Sequence, residues 1–268
     1  MLKKHINKKN FFAISIGSIT LLMCIYILND YMSNLIFSKA DAIQKDTSLE
    51  VTNANNNLKK ELSLLISYKN DANLLLCNKQ TLLPKNYEGT NLIESNLPFL
   101  SYITTTKLNA ITATNAKEMF ESAKKENIQL LGASGYRSQS IQKNLFNEKV
   151  NSLGFEKASE YSAPPRASEH ETGYAIDIVS TTHTKLSESF EKTNAFNWLD
   201  KNAHKFGFIL RYPKSKESIT GYKYEPWHYR YVGVNHAKYI KENNLTLEEY
   251  VNAINEKISF LELSLKED

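Results

Sequence analysis

The spacing of apolar positions divides the chain into three parts. A first, uncharged run of 18 residues extends from Phe11 to Leu28 (FFAISIGSITLLMCIYIL), which is the length that a membrane-spanning helix needs. A polar, Asn- and Lys-rich stretch follows, and short apolar segments at helix and strand periods begin near Leu74. The pattern therefore predicts a basic start and transmembrane anchor at 1–28, a stalk or linker at 29–73, and a folded domain at 74–268.

The linker has two interpretations that the sequence leaves open. Leu58, Leu62, Leu65 and Ile66 fall at helical spacing, which favours a helical stalk. The polar composition fits a partly disordered tether equally well.

The domain mixes helices and short strands without a strand–helix–strand rhythm, which is typical of the α+β class. Apolar residues share one face in three of the four predicted helices, 115–125, 194–206 and 247–263. Thr246 with Glu249 forms a capping-box pattern before the last one. The predicted helices are 115–125, 140–150, 194–206 and 247–263, and the predicted strands are 129–134, 175–179 and 222–232, the last interrupted at Pro226.

Charge supports an exported domain rather than a nucleic-acid-binding one. Lys3, Lys4, Lys8 and Lys9 precede the apolar run, and no acidic residue occurs before Asp30. Positive charge on the short N-terminal side predicts a cytoplasmic N-terminus and an extracytoplasmic body. The other 29 basic residues equal the 29 acidic residues in number, so no basic patch for nucleic acid is expected.

The two cysteines do not predict a disulfide scaffold. Cys24 lies in the apolar run and Cys77 beyond it, so they cannot pair within the domain. Met23 is too large for the position before a lipidated cysteine, and no small-x-small cleavage site is evident, so we expect an uncleaved signal anchor.

The first chemical signal is SEHETGYAID, residues 168–177. His170 and Asp177 lie on either side of Gly173, and a bend at this glycine would direct both side chains to one place. Asp177 stands in an otherwise apolar stretch, where an ionised carboxylate is costly unless it is paired or bound to a cation. From this segment alone, a core aspartate paired with an arginine is as good an interpretation as a metal ligand.

The second signal is EPWHYR, residues 225–230. Positions three apart on a regular strand face opposite ways, but Pro226 favours a bend that brings Glu225 and His228 to one cavity. Taken alone, the segment is typical of an aromatic cluster with a surface histidine.

Together the two segments suit a catalytic zinc site, which uses three protein ligands and leaves one position open. His170, Asp177 and His228 fit the ligands, and Glu225 fits the carboxylate that takes a proton from the attacking water. The remaining histidines lie in no comparable setting and are interpreted as surface groups: His5, His183, His204 and His236.

A third signal is SGYRS, residues 134–138, with Gln142 just inside the next helix. Arg137 follows a strand and a glycine, which places it on a loop. Its planar guanidinium suits a terminal carboxylate or a developing oxyanion. A structural salt bridge explains Arg137 equally well.

In this order, SGYRS, SEHETGYAID and EPWHYRYVG resemble the VanY-type zinc D-alanyl-D-alanine carboxypeptidases. These belong to a wider group of D,D- and L,D-carboxypeptidases with a Hedgehog-like zinc fold. LLLCNKQTLLPKNY and NLTLEEYV are similar to the beginning and end of that domain, so the resemblance covers about Leu74 to Tyr250.

The apolar run and the lysines before it predict a single-pass cell-membrane protein, and the resemblance implies that its extracytoplasmic domain is a metallo-carboxypeptidase. Its expected reaction is removal of the C-terminal D-alanine from peptidoglycan stem peptides, with D,D-specificity favoured. The implied site consists of one Zn²⁺ per chain held by His170, Asp177 and His228, Glu225 as general base, Arg137 as substrate and transition-state contact, Gln142 and Ser168 in the substrate pocket, and Trp227 beside the metal.

Two departures from the family pattern affect expectations about substrate. APPR, residues 163–166, stands where the family usually has a glycine after proline, and Tyr174 replaces a more usual aliphatic residue. Arg166 is expected at the mouth of the cleft, where it would alter substrate preference.

Three other functions are kept as alternatives. They are an L,D-carboxypeptidase acting on tetrapeptide stems, an endopeptidase cutting crosslinks, and a wall-binding module that keeps the zinc fold without turnover. Retention of Glu225 and Arg137 disfavours the module, because a binding protein needs no proton shuttle.

Overall fold

The computed structural model describes residues 8–266, with side chains described from Met23 onward except at Cys24 and Ser48. A single helix, α1, extends over Lys8–Lys69, so most of the predicted linker is helical. Among the residues available for that search, no helix is long and apolar enough to cross a membrane. Most of the predicted span at 11–28 falls outside the described side chains, and the anchor stays a prediction.

Contacts divide the chain into two units, one containing most of α1 and the other comprising Ser63–Leu263. The second unit carries the chemistry and is an α+β body. Its helices are α2 (Ala110–Lys125), α3 (Gln139–Leu153), α4 (Phe155–Tyr161), α5 (Asn194–Asn202), α6 (Glu217–Thr220), α7 (Val234–Glu242) and α8 (Leu247–Ser264), and its strands are β1 (Leu92–Glu94), β2 (Lys107–Asn109), β3 (Leu130–Ser134), β4 (Ala175–Ser180), β5 (Phe208–Leu210) and β6 (His228–Tyr231).

The main sheet has four antiparallel strands in the order β3-β4-β6-β5. A separate antiparallel pair, β1 with β2, leads into α2. Because β4 and β6 are central, the two histidine-containing segments found in the sequence become spatial neighbours. Asp177 and His228 are directly paired across these strands.

The two isoleucines on either side of Asp177 in β4 show which side of the sheet its carboxylate faces. Ile176 and Ile178 belong to the main core, where they join residues of α2 and α5 such as Met119 and Leu199. Since successive strand residues face opposite sides of a sheet, Asp177 faces away from that core. The site therefore lies on the other side of the sheet from the main core.

Caps explain where several helices begin. At α8, Thr246 N donates to Glu249 Oε2 at 2.7 Å and Glu249 N donates to Thr246 Oγ1 at 3.2 Å, which confirms the predicted capping box. Ser138 Oγ accepts from Ile141 N at 3.4 Å and starts α3 directly after Arg137. That start leaves Arg137 on the connecting loop, as the sequence predicts.

Candidate active site

His170, Asp177 and His228 come together from a turn and two adjacent strands. His170 lies in a short 3₁₀ helix, Glu169–Thr172, which ends at Gly173 with φ 79°. A Cβ on Gly173 would stand 2.8 Å from Leu92 Cδ2 and 3.1 Å from Asn109 N. Glycine is therefore required both by the left-handed backbone and by the close packing. The predicted bend at Gly173 is confirmed.

The three side chains form a compact, buried donor set. Asp177 Oδ2 is 3.4 Å from His170 Nε2, and Asp177 Oδ1 is 3.1 Å from His228 Nδ1. One potential ligand atom from each residue lies within 4.8 Å of the others. The two rings meet edge to face with centroids 5.0 Å apart.

This donor set fits a metal ion. Among the residues that the structure describes, His170 Nε2 and Asp177 Oδ1 are buried without a hydrogen-bond partner, and buried polar atoms of that kind are rare in native proteins. Two imidazole nitrogens and a carboxylate oxygen are ligands that zinc accepts, and three protein ligands are typical of its catalytic sites. The alternative interpretation of Asp177 does not hold, because its ion partners among the described residues are the two imidazoles.

Gly135 fixes the orientation of His170. Its carbonyl oxygen lies 2.7 Å from His170 Nδ1, so this nitrogen carries the proton and donates. The lone pair of His170 Nε2 is thereby directed toward Asp177, as is usual for a histidine ligand.

Glu225 lies beside the donor set without belonging to it. His228 N donates to Glu225 O at 3.1 Å across the turn at Pro226, and the carboxylate Oε2 is 3.7 Å from His228 Nδ1. The Glu225 side chain is 19% exposed. Burial raises its pKa to about 7, with His228 opposing and Asp177 adding to the rise. A carboxyl group of this kind can take and release a proton near neutral pH.

The carboxylates give the site a negative potential. Burial acts to raise the pKa of Asp177, but the neighbouring imidazoles outweigh it and hold that pKa well below its usual range. Burial acts to lower the pKa of His228, but the adjacent carboxylates of Asp177 and Glu169 outweigh it and raise that pKa to about 9. Burial and nearby Arg137 lower the pKa of His170 to about 4. A site that stabilises a positive charge at His228 favours a cation.

The donor set lines a cleft of about 910 Å³ that also contains the other predicted site residues. Arg137 Nη1 donates to Gln142 Oε1 at 2.9 Å, and Gln142 Nε2 donates to Ala163 O at 2.6 Å. Within the described part of the chain, Arg137 forms no salt bridge and its Nε lacks a hydrogen-bond partner. Ser168 and Trp227 also line the cleft. The structure therefore brings all eight predicted residues to one cleft.

His228 does lie in an aromatic cluster, as one interpretation of its segment predicted, but it is not a surface residue. Its ring lies 4.8 Å from that of Tyr212, centroid to centroid, but its side chain is only 5% exposed.

Two expectations are wrong. Arg166 does not reach the cleft mouth, because its Nε donates to Leu83 O at 2.6 Å and its backbone N to Glu171 Oε1 at 2.8 Å. Its φ of 76° lies in the region that glycine adopts most readily, which explains why a glycine is usual there.

His236 is buried rather than on the surface, with Nδ1 2.8 Å from Tyr250 Oη. His183 and His204 are partly buried, and His5 lies outside the described residues.

Sequence reasoning missed a group of buried charges behind His228. Glu169 Oε1 accepts from Arg211 Nε at 2.7 Å and from Arg230 Nη1 at 2.8 Å. All three side chains are fully buried. The available signal was two arginines in or beside apolar strands, since a buried guanidinium requires a partner.

Comparison with known proteins agrees with this geometry. The VanY family model, described as D-alanyl-D-alanine carboxypeptidase, matches residues 105–234. The "Putative carboxypeptidase YodJ" of Bacillus subtilis (strain 168) is 45% identical over 199 residues, which cover 73% of each protein. The solved LdcB LD-carboxypeptidase is 46% identical with a TM-score of 0.64, over 68% of this chain and 86% of that one. A vancomycin resistance D,D-pentapeptidase VanY in complex with Zn(II) is 32% identical with a TM-score of 0.56, over 68% and 99%.

Proposed function

Because the chain belongs to the VanY family of D-alanyl-D-alanine carboxypeptidases, it is a carboxypeptidase, and we propose that it removes the C-terminal D-alanine from peptidoglycan stem peptides in a zinc-dependent reaction. The observation that carries the proposal is the convergence of two imidazoles and a carboxylate at one buried point of the cleft, with Glu225 beside them. We assign one zinc ion to each chain, held by His170, Asp177 and His228.

When bound, the zinc ion polarises a carbonyl group and lowers the pKa of a water molecule toward about 7. Glu225 takes the proton of the attacking water and returns it to the leaving amine. Its raised pKa and its place at the cleft wall support this role. The reaction splits one peptide bond with one water and leaves D-alanine and a shortened stem.

Arg137 binds the C-terminal carboxylate of the stem peptide. A guanidinium that lies in the cleft with an unpartnered Nε suits a planar anion. Gln142 holds this guanidinium from one side by accepting from Nη1, and Ser168 and Trp227 complete the pocket wall. These contacts select for a free terminal carboxylate, which is the mark of a carboxypeptidase.

Cleavage after an L-residue is the second candidate, supported by the 46% identity to the LdcB LD-carboxypeptidase. The two candidates differ in the residue before the scissile bond, which has the D-configuration in one and the L-configuration in the other, and in the length of the stem. The D,D-reaction converts a pentapeptide stem into a tetrapeptide, and the L,D-reaction converts a tetrapeptide into a tripeptide.

Mass analysis of synthetic stems tests both candidates with the zinc-loaded full chain. We expect D-alanine release from the pentapeptide, and its loss after treatment with a chelator. Release from the tetrapeptide alone would transfer the assignment to the L,D-reaction. Metal-dependent binding of either stem without release would instead indicate a wall-binding module. Cleavage of crosslinked dimers but not of free stems would indicate an endopeptidase.

We also propose that the N-terminal segment anchors the chain in the cell membrane with the catalytic body outside. The support is the lysine-rich start and the uncharged run from Phe11 to Leu28. Cell fractionation with protease treatment of intact spheroplasts tests it. The body should sediment with membranes and be digested, and a body that is protected from the protease contradicts the proposal.

A further inference from the structure

The carboxylate of Glu169 has two oxygens with different surroundings. Oε1 accepts from Arg211 Nε at 2.7 Å and from Arg230 Nη1 at 2.8 Å. Oε2 faces His228 Nε2 at 3.5 Å, and within the described part of the chain neither of these two buried atoms has a hydrogen-bond partner. The carboxylate therefore joins two arginines on one side to a proposed zinc ligand on the other.

Both arginines are themselves held, so that the Glu169 carboxylate cannot turn freely. Arg211 Nη1 and Nη2 donate to the two oxygens of Glu248 at 2.9 and 2.5 Å. Arg230 Nη2 donates to the carbonyl oxygens of Asn73 and Leu75, both at 2.9 Å. The two arginine donors that face Glu169, Arg211 Nε and Arg230 Nη1, both point at Oε1, which leaves Oε2 for the imidazole.

Stability alone does not explain this arrangement. Two arginines and two glutamates balance in charge, yet buried ion networks are often no more stabilising than apolar residues of the same volume. A network placed directly behind a ligand has a second use. Carboxylates that accept from the outer nitrogen of a ligating histidine fix its tautomer and orientation.

We infer that Glu169 is a positioning residue that keeps the proton of His228 on Nε2 and so leaves Nδ1 free to bind zinc. His228 Nδ1 is the nitrogen that faces Asp177 Oδ1 at 3.1 Å and Glu225 Oε2 at 3.7 Å. The inference rests on the proposed function in one respect, namely that His228 is a zinc ligand.

The two imidazoles of the site are oriented in different ways. His170 is held by a backbone carbonyl, Gly135 O, and presents Nε2 to the site. His228 is held by a side chain and presents Nδ1. A backbone carbonyl cannot be removed by substitution, but Glu169 can, which makes the orientation of His228 open to test.

The variant Glu169→Gln reverses the hydrogen bond without changing the shape of the side chain. Four hydrogen bonds to Glu248, Asn73 and Leu75 hold the two arginines in place. The donors that they present to Glu169 therefore allow only an acceptor at the Oε1 position. The amide oxygen must therefore lie there, and the amide NH₂ must face His228 Nε2. That nitrogen then has to accept, which moves the imidazole proton to Nδ1 and blocks the zinc-binding lone pair.

Glu248→Gln is the matched control. It also weakens a buried pair with Arg211, but Glu248 lies on α8 and its recorded partners are Arg211 and Asn78, not His228. Zinc affinity is measured in full-chain protein by competition with a chromophoric chelator, and unfolding of the metal-free protein by urea. We expect zinc affinity to fall about 10- to 100-fold in Glu169→Gln, because this variant removes the outer hydrogen-bond partner of a ligand. In Glu248→Gln, which removes no such partner, zinc affinity should stay within about threefold. Equal losses in both variants, or none in Glu169→Gln, would overturn the inference.

A measurement on the unsubstituted protein keeps the inference testable if Glu169→Gln does not fold. Long-range ¹H–¹⁵N spectra of the zinc-loaded chain report which nitrogen of His228 is protonated. We expect the proton on Nε2 and zinc at Nδ1, and the reverse assignment contradicts a positioning role for Glu169. Failure of the proposed function would look different, since the unsubstituted chain would then bind no zinc at His228 or release no D-alanine.

Discussion

Replacing Glu225 by glutamine tests the assignment of the base most sharply. Glutamine keeps the volume of the side chain but cannot take a proton. Glu225 is not one of the three residues whose donor atoms converge, and its carboxylate Oε2 lies 3.7 Å from His228 Nδ1. The change should therefore leave zinc bound while it removes the proton acceptor.

The size of the effect follows from how few groups could replace Glu225. General acid–base catalysis contributes about 10²- to 10⁴-fold, or about 2.7 to 5.4 kcal/mol of transition-state stabilisation. The nearby carboxylates are engaged, Asp177 with two imidazoles and Glu169 with two arginines. Since neither can act as a substitute base, we expect a loss of at least about 10³ in kcat.

The assay measures D-alanine release from pentapeptide stems by full-chain protein, with the zinc content determined on the same samples. Glu217→Gln is a suitable control, because Glu217 is an exposed carboxylate in α6, on the same connection between β5 and β6. The control should retain full activity. A loss below tenfold in zinc-loaded Glu225→Gln, or loss of the zinc itself, would refute the reasoning.

Three further substitutions test separate parts of the account. Arg137→Lys keeps the charge but loses the planar guanidinium, so kcat/KM for free stems should fall about 10- to 100-fold in steady-state assays. A change below threefold would contradict a role for Arg137 in substrate binding. Arg166→Gly should leave kcat/KM for stem peptides within about twofold, because Arg166 points to Leu83 O and not into the cleft. A shift in substrate preference would indicate that Arg166 does act at the mouth of the cleft. Gly207→Ala should lower the free energy of unfolding in urea by about 1 to 3 kcal/mol, because φ is 83° and the new Cβ would stand 2.6 Å from Tyr231 Cε2; an unchanged midpoint would contradict this.

Helices with a continuous apolar face were predictable from the sequence. Met119 and Phe120 lie on the buried face of α2, as their spacing indicates, and the α8 cap was readable from Thr246 and Glu249. Elements of three residues, such as β5, were missed because so short a segment carries no period. The extended segment predicted at 222–232 is a strand only from His228, since the chain turns at Pro226.

The site was predictable as a set of residues because two short segments contain it: His170, Gly173 and Asp177 lie in one, and Glu225 and His228 lie in the other. What could not be predicted is the partner of each charge. Asp177 was weighed as the partner of a core arginine, but the arginines pair with Glu169, its neighbour in the same motif. That pairing depends on the register of β6 against β4 and on the position of α8, and neither is visible in local spacing.

One zinc ion is expected to bind at the meeting point of His170, Asp177 and His228. Anomalous diffraction at the zinc edge, from crystals of the zinc-loaded chain, tests it directly. We expect one peak per chain at about 2.0 to 2.2 Å from His170 Nε2, an Asp177 carboxylate oxygen and His228 Nδ1. The absence of a peak at this point, or imidazole nitrogens more than about 5 Å from any shared point and so beyond zinc-bonding distance, would contradict the account.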